Sequence, residues 1–325
     1  MSDLQRQTTQ AGAPRPMATY QFSPRPYALE TAPELPRGLT SLMVPGERDI
    51  LYSIAKNYCT GQGDIIDAGV YWGASTYCFC HGLVRNTADT SNLRIHSYDQ
   101  AIVHPGLLKA FPDIGEIGSC YGPLLERSIR EWGTRLTQPV DLHIGDINAM
   151  TYEGKVEVLF LDIMKNRATM RSCNSLFMRH LLPGRSIVIQ QDYYWQSNWY
   201  INAYMELARD CFSIIDSSDT SCVLLNTRKI PPALMTDDPL AGLSSDDIVN
   251  LLDCSTRSAV TLFQYLMMHL CVIDYAVTAR LAPLAKERFK AFADHYGDAL
   301  REHRDQSIAR VRAGHARLQR AVGLL

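Results

Sequence analysis

Residues 157–167 read Glu-Val-Leu-Phe-Leu-Asp-Ile-Met-Lys-Asn-Arg, and this stretch decides the fold. A short apolar run of strand length ends abruptly in Asp162 and Lys165. Ligands of open α/β sheets bind at the carboxyl ends of the strands, where a buried charge needs a partner. The next apolar run ends in the same way, in Gln191 and Asp192. Two strand ends therefore offer two carboxylates, one carboxamide and one lysine.

Two interpretations of this set stay open on the residues alone. In the first, Asp162, Gln191 and Asp192 supply oxygen ligands to a hard divalent cation, with Lys165 as a base beside it. In the second, Asp162 caps the following helix and Lys165 makes a surface ion pair.

Apolar segments of strand length alternate with helix-compatible segments, which predicts βαβ units and a parallel sheet with right-handed crossovers. Two β-rich segments, Cys211–Asp216 and Thr220–Asn226, follow and predict an antiparallel hairpin that closes the sheet. The predicted fold class is α/β: a Rossmann-like, doubly wound, seven-stranded sheet, mostly parallel with the last strand antiparallel, and a C-terminal helical addition. The predicted parallel strands are Asp64–Gly69, Leu93–Tyr98, Val140–Ile144, Val156–Leu161 and Arg185–Gln190, and the predicted helices between and after them are Gly73–Leu83, Gly122–Trp132, Ala168–Leu182 and Tyr200–Asp210.

The chain divides into three predicted regions. Residues 1–38 are a proline-dotted N-terminal arm, residues 39–230 form the α/β domain, and residues 231–325 form a helical region. Within the second region, residues 101–120 are predicted to be irregular. In the third, Ser244-Ser245-Asp246-Asp247 is typical of a helix N-terminus, and the last helix is predicted over Leu300–Leu318.

A glycine-containing turn follows the first predicted strand. Gly69 and Gly73 allow the backbone to turn sharply and to approach a ligand at a helix N-terminus. The second strand ends at Asp99, where an acid binds ribose hydroxyls, and the third at Gly145-Asp146. Three such strand ends predict a nucleoside pocket. The sequence has no Gly-Lys-Ser/Thr phosphate loop, which argues against a nucleoside triphosphate.

These residues carry a resemblance over roughly residues 40–228. The chain resembles class I S-adenosylmethionine-dependent methyltransferases, with Asp67-x-Gly69-x-x-x-Gly73, Asp99 and Gly145-Asp146 as the cofactor motifs. The resemblance implies S-adenosylmethionine as cofactor, with the methionine part at the Asp67–Gly73 turn, the ribose at Asp99 and the adenine near Asp146. The implied cofactor-binding residues are Asp67, Gly69, Tyr71, Gly73, Ser75, Asp99, Gly145 and Asp146.

Residues 160–167 are similar to the metal-lysine motif of catechol O-methyltransferases, and the segment from Pro183 to Tyr193 resembles macrocin-type sugar O-methyltransferases. The first similarity implies that Asp162 binds Mg²⁺ and that Lys165 deprotonates the substrate hydroxyl. The implied methyl acceptor is a small hydroxylated molecule of secondary metabolism. Four aromatic residues are predicted either to wall its pocket or to pack the loop after the fifth strand: Tyr193, Tyr194, Trp195 and Trp199.

The sequence departs from both families at the metal ligands. Those families place Asp-Asn or Asp-Asp where this chain has Gln191-Asp192, and the macrocin-type family has an acid where this chain has Met164. An alternative function is therefore a methyltransferase-like protein that binds the cofactor but serves as a scaffold or catalyses another step, such as a cyclisation.

Composition and hydropathy limit the partners. A net charge of −2 argues against a nucleic-acid binder, and no apolar run approaches a membrane span. The nine scattered cysteines are typical of a reduced, cytosolic protein. In the helical region, Phe263, Leu266, Leu270 and Ile273 recur at helical spacing. This stripe predicts core packing and a homodimer contact through the C-terminal helices, and the arginines of the last helix predict a solvated face.

Overall fold

One seven-stranded sheet organises the protein, seen in a computed structural model that describes residues 21–133, 140–236, 238–302 and 305–325. The strands are β1 (Asp64–Ala68), β2 (Ile95–Asp99), β3 (Val140–Ile144), β4 (Val156–Leu161), β5 (Ile187–Gln190), β6 (Phe212–Ser218) and β7 (Ser221–Asn226). Their order is β3-β2-β1-β4-β5-β7-β6. Strand β7 is antiparallel to both of its neighbours, and all other pairs are parallel. The predicted fold class is confirmed.

Strand β4 shows why residues 157–167 decide this arrangement. All six of its residues are buried, and successive side chains point to opposite faces of the sheet. Val158 and Phe160 join the core on one face, while Leu159 and Leu161 join the core on the other. A strand that is covered on both faces has a mostly continuous apolar sequence, rather than one in which apolar and polar residues alternate.

Helices cover both faces. Helices α1, α2 and α4 contribute to one core, and α5, α6, α7 and α8 contribute to the other. The bounds are α1 (Pro45–Asn57), α2 (Ala74–Val84), α3 (Pro105–Ala110), α4 (Gly122–Gly133), α5 (Arg167–Phe177), α6 (Trp199–Leu207), α7 (Ser245–Ser255), α8 (Leu262–Thr278), α9 (Ala282–Glu302) and α10 (Gln306–Gly323).

Three details of the helices differ from the sequence prediction. The sequence did not indicate α1, and α3 lies inside the segment that was predicted to be irregular. The predicted final helix over Leu300–Leu318 is wrong, because Asp305 accepts a hydrogen bond from the backbone N–H of Ile308 at 2.8 Å and starts α10 as its N-cap. The predicted start at Ser244 is confirmed, with a capping box that pairs Ser244 and Asp247.

The C-terminal helices pack on their own chain. Tyr265, Met268 and Tyr275 of α8 lie in the same core as β4 and α6. The opposite side of α8 forms a third core with α9 and α10. This core includes the predicted stripe of Phe263, Leu266, Leu270 and Ile273. The stripe that predicted core packing and a homodimer contact is therefore covered within one chain, which confirms the core packing; the homodimer stays a prediction.

Other sequence expectations concern the arm, the cysteines and the membrane. Residues 21–38 carry no helix or strand, and Tyr27 is buried in the core beside α1; residues 1–20 lie outside the described residues. All nine cysteines are unpaired. Within the described ranges, no helix is both long and apolar enough to cross a membrane.

Candidate functional site

A cavity of about 960 Å³ lies where the carboxyl ends of β1 to β5 meet. Such an edge is the usual ligand site of open α/β sheets, and the volume is within the range of small-molecule pockets. The lining includes two cationic side chains, Lys165 and Arg310, against a larger number of carboxyl groups: Glu47, Asp99, Asp146, Asp162, Asp192 and Asp219. The excess of carboxyl groups favours a ligand that carries positive charge.

The turn after β1 is shaped by two glycines with left-handed backbone. Gly69 has a φ of 104°, and a Cβ there would lie 2.6 Å from the carbonyl carbon of Asp162. Only glycine therefore lets the ends of β1 and β4 approach this closely. Gly73, with a φ of 96°, starts α2 and brings Ser75 to the cavity wall.

Asp67 supports this turn from behind the cavity. It is fully buried, and one carboxyl oxygen accepts hydrogen bonds from the hydroxyls of Ser75 and Thr76. Burial raises the pKa of this carboxyl to about 7. Neither Asp67 nor Gly73 lines the cavity, so the structure does not place these two predicted cofactor-binding residues in contact with a ligand there.

Asp99 at the end of β2 faces the cavity and also orders the loops beside it. Its carboxylate accepts hydrogen bonds from the backbone N–H groups of Tyr71 and Ala101, each at 2.7 Å. Tyr71 and Ala101 have φ values of 53° and 51°, a conformation that non-glycine residues rarely adopt. Burial raises the pKa of Asp99, and the two N–H groups oppose that effect.

The end of β3 completes the predicted nucleoside side of the cavity. Gly145 has a φ of 141°, and its N–H donates to the carbonyl of Asp99 at 2.9 Å. Asp146 is exposed at the cavity rim and caps a short helical turn by accepting from the N–H of Asn148 at 3.0 Å. The structure thus brings together six of the predicted cofactor-binding residues: Gly69, Tyr71, Ser75, Asp99, Gly145 and Asp146.

On the other side of the cavity, Lys165 bridges two carboxylates. Its Nζ lies 2.5 Å from Asp162 Oδ1 and 2.6 Å from Asp192 Oδ2. Burial lowers the pKa of Lys165, but the two carboxylates outweigh burial and hold the pKa above its ordinary value. Burial also raises the pKa of Asp162 to about 6, against the opposing effect of Lys165. The predicted role of Lys165 as the base does not fit this geometry, because its ammonium is stabilised.

The capping interpretation of Asp162 is also wrong. Asn166 is the N-cap of α5, and its side-chain oxygen accepts from the N–H of Thr169 at 2.9 Å. The ion-pair interpretation of Lys165 is confirmed: the pair lines the cavity, and 56% of the Lys165 side chain is exposed.

Gln191 belongs to a separate hydrogen-bond network. Its carboxamide nitrogen donates to Thr220 Oγ1 at 3.2 Å, and its oxygen accepts from the Ser221 hydroxyl. Ser221 Oγ also lies 2.8 Å from Glu47 Oε1. The network joins the ends of β5 and β7 to the first turn of α1. The predicted metal ligand Gln191 is therefore engaged with Thr220 and Ser221, although it also lines the cavity.

The donor set does not fit the predicted divalent cation. Magnesium and calcium need several oxygen ligands, whereas the two available carboxylates already hold the Lys165 ammonium. The oxygens of Gln191 and Asn166 have other partners. Over the described part of the chain, no group of three or more His, Cys, Asp or Glu side chains is arranged to hold a metal ion.

Of the four aromatic residues that were predicted to wall the acceptor pocket, one lines the cavity. Trp195 lines the cavity and packs against the core of the C-terminal helices. Tyr194 is fully buried, with its hydroxyl donating to the carbonyl of Ser258 at 3.0 Å, and Tyr193 packs beside it. Trp199 packs against Tyr275 of α8. For these three residues the structure favours the packing interpretation.

Sequence reasoning missed the part of the wall that comes from distant segments. Arg310 of α10 forms an ion pair with Asp219 in the β6–β7 turn, and its guanidinium lies 4.3 Å from the centre of the Phe263 ring. The prediction that the arginines of this helix form a solvated face is wrong for Arg310, whose side chain is 32% exposed, whereas Arg317 pairs with Asp274 of α8 and still keeps 46% of its side chain exposed. The arginine-rich composition of the helix was the available signal, and the partner acids could not be inferred from it.

Comparisons with known proteins give distant matches. No family model and no curated protein matches the chain. Among solved structures, the chain is similar to CalS11, a TDP-rhamnose 3'-O-methyltransferase of calicheamicin biosynthesis, with 14% identity, a TM-score of 0.41, and coverage of 55% of this chain and 77% of that chain. It is also similar to the SAH-bound Podospora anserina methyltransferase PaMTH1, with 13% identity, a TM-score of 0.36, and coverage of 57% and 80%.

At these identities and TM-scores, the similarities do not carry an argument about activity. The strand order and the cavity define the class of the protein, which is a Rossmann-like α/β protein with a ligand site at the carboxyl edge of its sheet.

Proposed function

We propose that this protein is an S-adenosylmethionine-dependent O-methyltransferase that acts on a hydroxyl group of a small metabolite. The observation that supports this proposal most is the convergence of Gly69, Asp99 and Asp146 on one side of a single cavity and of Asp162, Lys165 and Asp192 on the other. One side suits a nucleoside, and the other offers acid–base groups where a second substrate would lie.

The first half of the cavity would hold the cofactor. Asp99 would accept hydrogen bonds from the ribose hydroxyls, and the backbone around Gly69 and Ser75 would contact the methionine part. When bound, S-adenosylmethionine supplies an electrophilic methyl group on a positively charged sulfur. The carboxyl groups of the lining favour that charge.

The second half would hold the acceptor. The Lys165 ammonium has three N–H donors, of which two are used by Asp162 and Asp192. The third can donate to the acceptor oxygen and stabilise it as its proton leaves. Asp162, with a pKa of about 6, is the better-placed proton acceptor, because a base works best when its pKa is near the operating pH. Trp195 would cover one side of the acceptor.

Cofactor binding is tested by calorimetry of the pure protein with S-adenosylmethionine and its demethylated product. We expect both to bind, and we expect Asp99→Asn to weaken binding by about 1–3 kcal/mol because a buried hydrogen-bond partner is lost. Asparagine keeps the side-chain shape and the acceptor for one of the two N–H groups, that of Tyr71 or that of Ala101. Asp113→Asn changes an exposed acid outside the cavity and serves as the matched control. Absence of binding to the wild-type protein would exclude the proposal.

A second candidate is a protein that binds the cofactor without transferring its methyl group. The stabilised ammonium of Lys165 favours this candidate, because the predicted base is held in its charged form. Mass spectrometry after incubation with methyl-labelled cofactor and a panel of hydroxylated acceptors separates the two. A labelled product supports methyl transfer, whereas cofactor binding with every acceptor unchanged supports the alternative.

A further inference from the structure

The Asp162–Lys165–Asp192 group differs from an open acidic cation site in one respect: it already contains a cation. The ammonium lies between the two carboxylates at 2.5 and 2.6 Å, so it occupies the position that a metal ion shared by both carboxylates would need. The Lys165 side chain reaches this position from the loop between β4 and α5, three residues after Asp162.

The backbone fixes both carboxylates around this point. The Asp162 N–H donates to the carbonyl of Ala68 at 2.7 Å, which ties the end of β4 to the end of β1. Asp192 has a φ of 60°, and its carbonyl accepts from the Trp195 N–H at 3.0 Å in the turn that follows β5. The two acids therefore converge from separate strands onto the same ammonium.

The neighbouring oxygen donors are used elsewhere. The Gln191 carboxamide is bonded to Thr220 and Ser221, and the Asn166 side-chain oxygen accepts from Thr169 at the start of α5. A divalent ion would have to displace the ammonium from both carboxylates, and its remaining ligands would have to be water or substrate oxygens.

We propose that the Lys165 ammonium takes the place of a divalent cation at this site, so that the protein binds and orients its ligand without a metal ion. The charge that a metal would contribute is supplied by a side chain, as a fixed positive group that directs one N–H into the cavity. The acceptor group that suits this donor is an oxygen carrying partial or full negative charge.

The contact of the Lys165 ammonium with Asp162 and Asp192 does not depend on which reaction the protein catalyses. We therefore test the proposal by metal binding rather than by activity. Manganese ions are titrated into the wild-type protein and into Lys165→Met, and the free ion is followed by electron paramagnetic resonance. Methionine keeps the length of the stem without its charge. We expect the wild-type protein to bind no stoichiometric manganese, and Lys165→Met to bind it at least about tenfold more tightly, because the repelling charge is removed and two carboxylates become available.

Three controls make the titration specific. Lys165→Arg keeps the positive charge and should exclude manganese like the wild-type protein. Asp192→Asn combined with Lys165→Met should lose the binding that Lys165→Met gains. Lys155→Met removes an exposed lysine outside the cavity and should leave the wild-type behaviour unchanged.

Two outcomes would overturn the proposal. One is stoichiometric manganese binding by the wild-type protein that Asp192→Asn abolishes, which would show that the metal displaces the lysine. The other is a folded Lys165→Met protein, judged by circular dichroism, that binds no manganese. If Lys165→Met does not fold, the wild-type and Asp192→Asn titrations still decide the question.

Discussion

At the scale of single residues, the Ser221 hydroxyl has two possible acceptors, Glu47 and Gln191, and both of these line the cavity. Ser221 Oγ lies 2.8 Å from Glu47 Oε1 and also contacts Gln191 Oε1, but a serine hydroxyl has only one hydrogen to donate. If Glu47 is protonated, it donates to Ser221, and Ser221 donates to Gln191. Burial favours this neutral form and raises the pKa of Glu47 to about 7.

The raised pKa of Glu47 makes the stability of the protein depend on pH. Between about 4.5 and about 7 the folded state holds this proton and the unfolded state does not, so the free energy of unfolding falls as the pH rises through this window. Asp67 and Asp162 contribute in the same direction, since their folded pKa values are raised as well.

Glu47→Gln isolates the contribution of Glu47. Glutamine can reproduce the hydrogen bonds of the neutral acid and does not titrate. Between pH 5 and pH 8 the wild-type protein loses free energy of unfolding that the variant keeps. We expect this difference to be about 2 kcal/mol, because the pKa of Glu47 rises from 4.5 to about 7 on folding. Urea unfolding at the two pH values measures this gain. Equal pH dependence of the two proteins would contradict the assignment.

Some residues of the site could be predicted from the sequence, and others could not. Asp162, Lys165 and Asp192 were placed in one site because the carboxyl ends of parallel strands share an edge of the sheet. Glu47 was missed because its partner Ser221 lies 174 positions further along the chain, and no local pattern reports that contact.

At the scale of elements, the crossing of α1 and α2 positions two parts of the site. Helix α1 carries Glu47 in its first turn, and α2 begins at the Gly73 turn. The two helices meet at Gly82, where a Cβ would lie 2.5 Å from the carbonyl oxygen of Tyr52 and 2.6 Å from Ala55 Cβ. Backbone atoms of α1 form part of this contact, so a side chain at residue 82 cannot be accommodated by a rotamer change alone.

We therefore expect Gly82→Ala to destabilise the protein by about 1–3 kcal/mol, the usual cost of overpacking a close contact. Alanine is otherwise the better helix former, by up to about 1 kcal/mol over glycine. Gly323→Ala is the control, because it is also helical and a Cβ there meets nothing within 4 Å. Thermal unfolding of the three proteins measures the difference, and a Gly82→Ala protein as stable as Gly323→Ala would show that α1 moves freely.

The elements differ in how well their sequences predict them. Strands β4 and β5 were predicted because their buried centres are continuous apolar runs, whereas β2 and β3 interleave polar and apolar residues. Helix α1 was missed because its N-cap is Val44, which has no side-chain oxygen to signal a helix start. The break between α9 and α10 was missed because the residues on both sides favour a helix, and only the capping bond of Asp305 marks it.

At the scale of the whole molecule, the C-terminal helices join the α/β domain into one body. Residues of α8 share a core with the sheet, and Arg310 of α10 pairs with the β6–β7 turn beside the cavity. Sequence reasoning placed a boundary near residue 231 and expected the helices to pack partly on their own domain and partly against a second copy, because hydrophobic periodicity identifies an apolar face but not the surface that covers it. The cavity wall formed by Arg310 follows from that docking.

Covering of the apolar stripe changes the expected oligomeric state. Buried apolar surface stabilises by about 25 cal/mol per Å², and here that surface is already buried within one chain. In the described part of residues 231–325, the exposed large hydrophobic side chains are Leu324 and Leu325 at the very end of the chain, too few for a stable interface. We expect light scattering at micromolar concentration to give a mass near 36.5 kDa, that of one chain.

Twice that mass would mean that a dimer forms through another surface. In that case Leu42 and Ile102, exposed apolar residues at the cavity, are the first positions to replace with polar ones, because a partner covering them would reach the site itself.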